Sequence, residues 1–180
     1  CTVSNLDIEG NGAQLGGITT CSPGGYYSET GNIIEKSTVE NVNIKFTPQS
    51  TGHQSAVGGI IAGTASSIPS TEIKNCSFLN SNITSNATST GGIAGCLWGD
   101  SPIENCRTEN VTIITEGERY YSMYYPNSYC GSVGGIIGDY GGNKNINDCV
   151  VKNVEISTTT DHMGGIIGYL VSNVAIDDCI

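Results

Sequence analysis

CTVSNLDI (residues 1–8), STVENVNI (37–44), CSFLNSNI (76–83), CRTENVTI (106–113) and CVVKNVEI (149–156) are copies of one pattern, and a sixth copy opens at Cys179. The starts at residues 1, 37, 76, 106, 149 and 179 lie 36, 39, 30, 43 and 30 residues apart. Four residues after each start stands an asparagine: Asn5, Asn41, Asn80, Asn110 and Asn153. Seven after it stands an isoleucine: Ile8, Ile44, Ile83, Ile113 and Ile156. Three residues before a start, Ile34, Ile73, Ile103, Ile146 and Ile176 recur, and between these landmarks lies a Gly-Gly-Ile at 16–18, 58–60, 91–93, 134–136 and 164–166. With 17 asparagines in 180 residues, chance does not place one at the same phase five times in five. A fixed period of this length marks a repeat architecture, in which each unit buries its apolar face on its neighbours.

The spacing within a copy is that of strands. The start residue and the one two later face one way, and the residues five and seven later, such as Val111 and Ile113, do so again, which is period-2 patterning. The asparagine between them predicts a bend, because Asn tolerates a left-handed backbone and its amide can bond to the same amide in the next copy. Gly-Gly-Ile predicts a third short strand where missing side chains let backbones approach closely. The expected fold is all-β: a single-stranded parallel β-helix (right-handed β-solenoid) of about five coils with three short strands each, the right hand following the usual sense of parallel crossovers. Stacked at about 4.8 Å, five coils would form a rod about 24 Å long. The whole chain, 1–180, reads as one such domain with repeats 1–36, 37–75, 76–105, 106–148 and 149–178 and open ends.

Composition narrows the function classes. Seven basic residues against 17 acidic give a net charge of -10, and charged residues are only 13% of the chain. Tracking a nucleic-acid backbone takes clustered Lys and Arg, so no nucleic acid is expected as a partner. No apolar run approaches the roughly 20 residues that cross a bilayer, so no membrane insertion is expected either.

The segments GGIAGCLWGDSPIENCRTENVTI, GGIIGDYGGNKNINDCVVKNVEI and GGIIGYLVSNVAIDDCI resemble the GLUG-type repeats of large bacterial surface and secreted proteins, some of which carry peptidase domains elsewhere. The resemblance covers nearly the whole chain, and the first two copies depart from it, reading GGITTC and GGIIAG. It implies an extracellular or cell-surface location and a stalk or adhesive role, with no catalytic residues to transfer.

Specific contacts are expected where the copies differ. The longest repeat carries a tyrosine-rich insertion, 114–133, with Tyr120, Tyr121, Tyr124, Tyr125 and Tyr129. Tyrosines combine apolar area with a polar tip, so this loop is read as covering a flank of the fold, contacting a protein partner or binding a glycan. Cys76, Cys106, Cys149 and Cys179 share one phase and are expected as a file of buried free thiols. Cys96 and Cys130, on neighbouring repeats, are the expected candidates for a disulfide. No CxxC or paired histidine supports a metal site, and no cofactor is expected.

An enzyme would need clustered carboxylates. His53 and His162 stand alone in insertions, Asp178 falls at a bend phase shared with Asn75, Asn105 and Asp148, and Asp100 and Asp139 follow Gly-Gly segments on different repeats. The expectation is a structural element without catalysis: a building block of a fibre or adhesin stalk, stacking end to end with itself or continuing a longer solenoid, with a glycan or host protein as further partner. The alternatives are a carbohydrate-binding or carbohydrate-cleaving β-helix using the tyrosine insertion, and a noncatalytic repeat region of a secreted peptidase.

Overall fold

The computed structural model describes residues 1–21, 32–48, 55–63, 71–116 and 131–180, and its regular structure is all strand, without a helix. The first repeat supplies β1 (Thr2–Gly10), β2 (Gln14–Gly16), β3 (Thr19–Cys21) and β4 (Asn32–Glu35). The second supplies β5 (Thr38–Phe46), β6 (Ala56–Gly58), β7 (Ile61–Gly63) and β8 (Thr71–Lys74). In the third, β9 (Ser77–Leu79) and β10 (Asn82–Ser85) take the place of one long strand, followed by β11 (Ser89–Gly91), β12 (Ala94–Gly99) and β13 (Ile103–Glu104). The fourth gives β14 (Arg107–Thr115), β15 (Ser132–Gly134), β16 (Ile137–Gly142) and β17 (Ile146–Asn147), and the fifth β18 (Val150–Thr158), β19 (His162–Gly164), β20 (Ile167–Leu170) and β21 (Ile176–Asp177).

These strands form four open parallel sheets, each taking its strands from successive repeats in order. The first sheet holds β1, β5, β9 with β10, β14 and β18; the second holds β2, β6, β11, β15 and β19; the third β3, β7, β12, β16 and β20; the fourth β4, β8, β13, β17 and β21. The register places like on like: Ile44 is paired with Ile8 and Ile83, Ile113 with Ile83 and Ile156, and Ile73 with Ile34 and Ile103.

Four strands per repeat, rather than the expected three, follow from two local features. The asparagine bend exists as a dihedral, with φ of 57° at Asn5, 54° at Asn41, 48° at Asn80, 55° at Asn110 and 51° at Asn153, yet it does not end the strand. β1, β5, β14 and β18 each run nine residues straight through it. One left-handed residue resets the alternation of faces, which is why Val39, Val42, Ile44 and Phe46 are all buried although the step from Val39 to Val42 is odd. The second feature is the Gly-Gly-Ile, which is a corner between the second and third sheets rather than a strand. A Cβ on Gly58 would lie 2.0 Å from the Ile61 carbonyl oxygen, so the chain reverses there only because the position is glycine. The fourth sheet is built on the isoleucines that precede each start, and it enters the first sheet through a second left-handed column, Lys36, Asn75, Asn105, Asp148 and Asp178, with φ between 49° and 53°.

Ile60, Ile93 and Ile136, from the corners, fill the interior with Ile73, Ile103 and Ile146 from the fourth sheet and Ile44, Ile83 and Ile113 from the first. Apolar rows of this kind are the main favourable term in the fold. Ile8 and Ile156, in the outermost repeats, are only partly buried against this core.

Candidate functional site

Sheets two and three turn back on each other at the glycine corner and enclose a narrow wedge outside the main core. Their approach depends on Gly95, Gly138 and Gly168, where a Cβ would stand 2.6, 2.6 and 2.5 Å from backbone atoms. Two files of side chains line the wedge. The first residues of the sheet-two strands, Gln14, Ala56, Ser89, Ser132 and His162, are in register with one another. So are the third residues of the sheet-three strands from the second repeat on, Gly63, Cys96, Asp139 and Tyr169. That the files face each other is visible at both ends: a Cβ on Gly63 would meet Ala56 Cβ at 3.7 Å, and the rings of His162 and Tyr169 lie 4.6 Å apart.

The polar groups concentrate in the last three repeats. Asp139 is 1% exposed, its Oδ2 accepts only a distant contact from Cys96 Sγ at 4.0 Å, and its Oδ1 has no partner. Burial therefore pushes its carboxyl up to about 6. Cys96 Sγ accepts the Trp98 indole N–H at 2.9 Å, and the Ser132 hydroxyl donates to Ser89 Oγ at 3.4 Å. His162 Nδ1 is a second buried atom without a partner. Ser132, Asp139 and His162 thus line one wedge, Ser132 and Asp139 being buried, and no hydrogen bond joins Asp139 Oδ1 or His162 Nδ1 to the other members.

The sequence assigned these residues differently. His162 is a strand residue in register with Ser132, not part of an insertion. Asp100 and Asp139 do not converge: Asp100 is half-exposed and 3.6 Å from Lys144, while Asp139 points inward. Asp178 is a bend residue, with φ of 52°. The one signal that could have found the wedge is the shared offset from Gly-Gly of His162 with Ser132 and of Cys96 with Asp139.

The asparagine file runs along the exposed face of sheet one. Asn41 Nδ2 donates to Asn5 Oδ1 at 3.4 Å, Asn110 to Asn80 at 2.9 Å and Asn153 to Asn110 at 3.0 Å. A neighbouring file joins Asn43 to Asp7 and Asn82 to Asn43, both at 2.8 Å. Beside them Glu109 takes Lys152 at 3.1 Å and also Arg107, and these cations hold its carboxyl below the usual range, Lys152 foremost. Tyr120, Tyr121, Tyr124, Tyr125, Tyr129 and Cys130 lie outside the described residues, as do His53 and the greater part of the insertion. The bridge expected between Cys96 and Cys130 therefore has only one partner on view. Among the described residues no group of three or more His, Cys, Asp or Glu is arranged to hold a metal ion.

The fold and these files define a chain of in-register parallel sheets with an interior polar wedge. Comparison with protein families, with curated proteins and with solved structures gave no match.

Proposed function

We propose that the chain is a right-handed β-solenoid of five coils of the GLUG-repeat type, and that it serves outside the cell or at its surface as a structural segment of a fibre, filament or adhesin stalk. One observation carries this reading: all four sheets keep one register through five repeats, and the apolar rows run on to an outer strand over which no further strand lies among the described residues. Met163 is 61% exposed although its register partner Val133 is fully buried, and Ile176 is exposed although its partner Ile146 is buried. Unpaired strand edges with apolar side chains template the addition of further strands. Another coil of the same kind, from an adjoining stretch of chain or from a second copy stacked end to end, would cover this edge.

A head-to-tail contact of this type gives an open filament. Negative-stain electron microscopy of the isolated protein over a range of concentrations, with sedimentation on the same samples, tests the stacking arm. Rods lengthening with concentration support it, and a monodisperse monomer at every concentration sinks self-stacking.

A further inference from the structure

The start phase collects four thiols into one file at the corner between the fourth and first sheets. Cys76, Cys106 and Cys149 are buried, Cys179 is partly buried, and all four are thiols. The backbone sets them on successive strands of one ladder: Arg107 N–H donates to Cys76 O, Val150 N–H to Cys106 O and Ile180 N–H to Cys149 O, each at 2.9 Å. Each thiol also leans on the carbonyl two residues before it, Lys74, Glu104, Asn147 and Asp177 at 3.3 to 3.4 Å. Ser37, which stands at this phase in the second repeat, makes the same bond to Glu35 at 3.1 Å.

The last pair shares this ladder and adds one bond, from backbone to sulfur. Ile180 N–H donates to Cys149 O at 2.9 Å and Val151 N–H to Ile180 O at 2.7 Å, so the residues around Cys179 lie against Cys149 as an adjacent parallel strand does. The Cys149 N–H donates to Cys179 Sγ at 3.4 Å. A strand spacing of about 4.8 Å falls inside the Cα separation that a disulfide accepts. Cys106 is buried, whereas Cys179 is only partly so.

We infer that Cys149 and Cys179 are a disulfide-forming pair, closed by a small-molecule disulfide such as glutathione disulfide. Cys179 loses its proton and attacks one glutathione sulfur, releasing one glutathione thiolate and leaving a mixed disulfide on Cys179. The Cys149 thiolate then attacks Cys179 Sγ and releases the second glutathione. Two protein thiols are oxidised, one glutathione disulfide is reduced to two glutathiones, and the two protons end on those products. Burial raises the Cys179 thiol, so the first step is slow at neutral pH and quickens as pH rises. The product ties the start of the sixth copy to the fifth repeat.

The test is to incubate the folded protein with glutathione disulfide at pH 8, alkylate under denaturing conditions and digest with trypsin. Cleavage at Lys144 and Lys152 separates peptide 145–152, holding Cys149, from 153–180, holding Cys179. The expected product is these two peptides joined, lighter by about 2 Da than the sum of their reduced masses, and split again by dithiothreitol. Cys179→Ser abolishes the joined peptide, and circular dichroism shows whether that variant keeps its strand signal. The proposal is overturned if both cysteines are alkylated while exposed Cys1 carries glutathione, or if Cys149 is joined to Cys106 instead.

Discussion

Asn80 donates its side-chain amide to Glu40 Oε1 at 3.0 Å rather than to Asn41, the asparagine of its own phase in the strand alongside. The asparagine file is thereby in two pieces, and the gap coincides with the break between β9 and β10 in the third repeat. Ser81 explains the break. It occupies the phase filled elsewhere by Leu6, Val42, Val111 and Val154, and its hydroxyl accepts the Val42 N–H at 3.0 Å while donating to Leu79 O at 2.5 Å. A side chain here takes a bond that the strand ladder makes elsewhere.

Ser81→Ala should accordingly destabilise the fold by about 1–3 kcal/mol, the cost of leaving a buried N–H without a partner. The urea midpoint reads this directly. A midpoint within error of the parent would mean that the ladder re-forms around the alanine and that the serine bond contributes nothing net.

Much of this architecture is legible in the residues themselves. The Asn and Gly-Gly phases gave parallel strands in register, because a left-handed residue and a Cβ-free corner are demands that few side chains can meet. The number of strands per repeat was not legible, since Ile34 and its counterparts look the same in a short strand as in a turn packed on the core. The partner of Asn80 was not legible either, because Glu40 competes with Asn41 for the amide over a difference of one residue. The wedge around Asp139 and His162 escaped for a third reason: its facing members, Ser132 with Asp139 and His162 with Tyr169, are 7 residues apart in the chain and meet only when the glycine corner folds sheet three onto sheet two.

At Asn110 the backbone and the side chain can be separated. Asn110→Ala removes the amide bonds to Asn80 and from Asn153 and puts a Cβ-bearing residue without local hydrogen bonding at φ 55°, which costs about 1–2 kcal/mol. Asn110→Gly loses the same bonds without that strain. The alanine variant is therefore expected to melt at lower temperature than the glycine variant. Equal melting temperatures would show that the left-handed column carries no strain for alanine.

Asp139 sets a pH dependence of definite sign. Its folded-state carboxyl titrates at about 6, above the unfolded value near 3.9, so the folded chain holds the proton more tightly. The stability it contributes is complete below about pH 4 and is lost as pH rises through 6, amounting to roughly 2–3 kcal/mol at pH 7. Asp139→Asn keeps the shape and cannot ionise, so its urea midpoint should rise relative to the parent from pH 5 to pH 7.5. Parallel midpoint curves across that range would show that Asp139 stays charged in the fold or finds a partner.

The glycine corner supplies a variant that separates folding from stacking. A Cβ on Gly17 would meet the Gly59 carbonyl oxygen at 2.1 Å, one on Gly59 would meet that of Gly92, one on Gly92 that of Gly135, and one on Gly135 that of Gly165 at 2.1 Å. Each corner glycine is therefore required by the repeat that follows it. On Gly165 a Cβ meets nothing within 4 Å, and its φ is not left-handed. Gly135→Ala drives a methyl into backbone and is expected to cost more than about 3 kcal/mol or to prevent folding, since neither partner can yield. Gly165→Ala should fold with the parent's stability to within about 0.5 kcal/mol. If a further coil seats on the fifth repeat, the same methyl stands where that coil's corner carbonyl must come, and the variant should lose end-to-end association while remaining a folded monomer. Sedimentation of Gly165→Ala beside the parent decides it: a parent that lengthens and a variant that does not would place the contact at this corner, whereas equal lengthening of both would rule out a stack that continues the register of the five repeats.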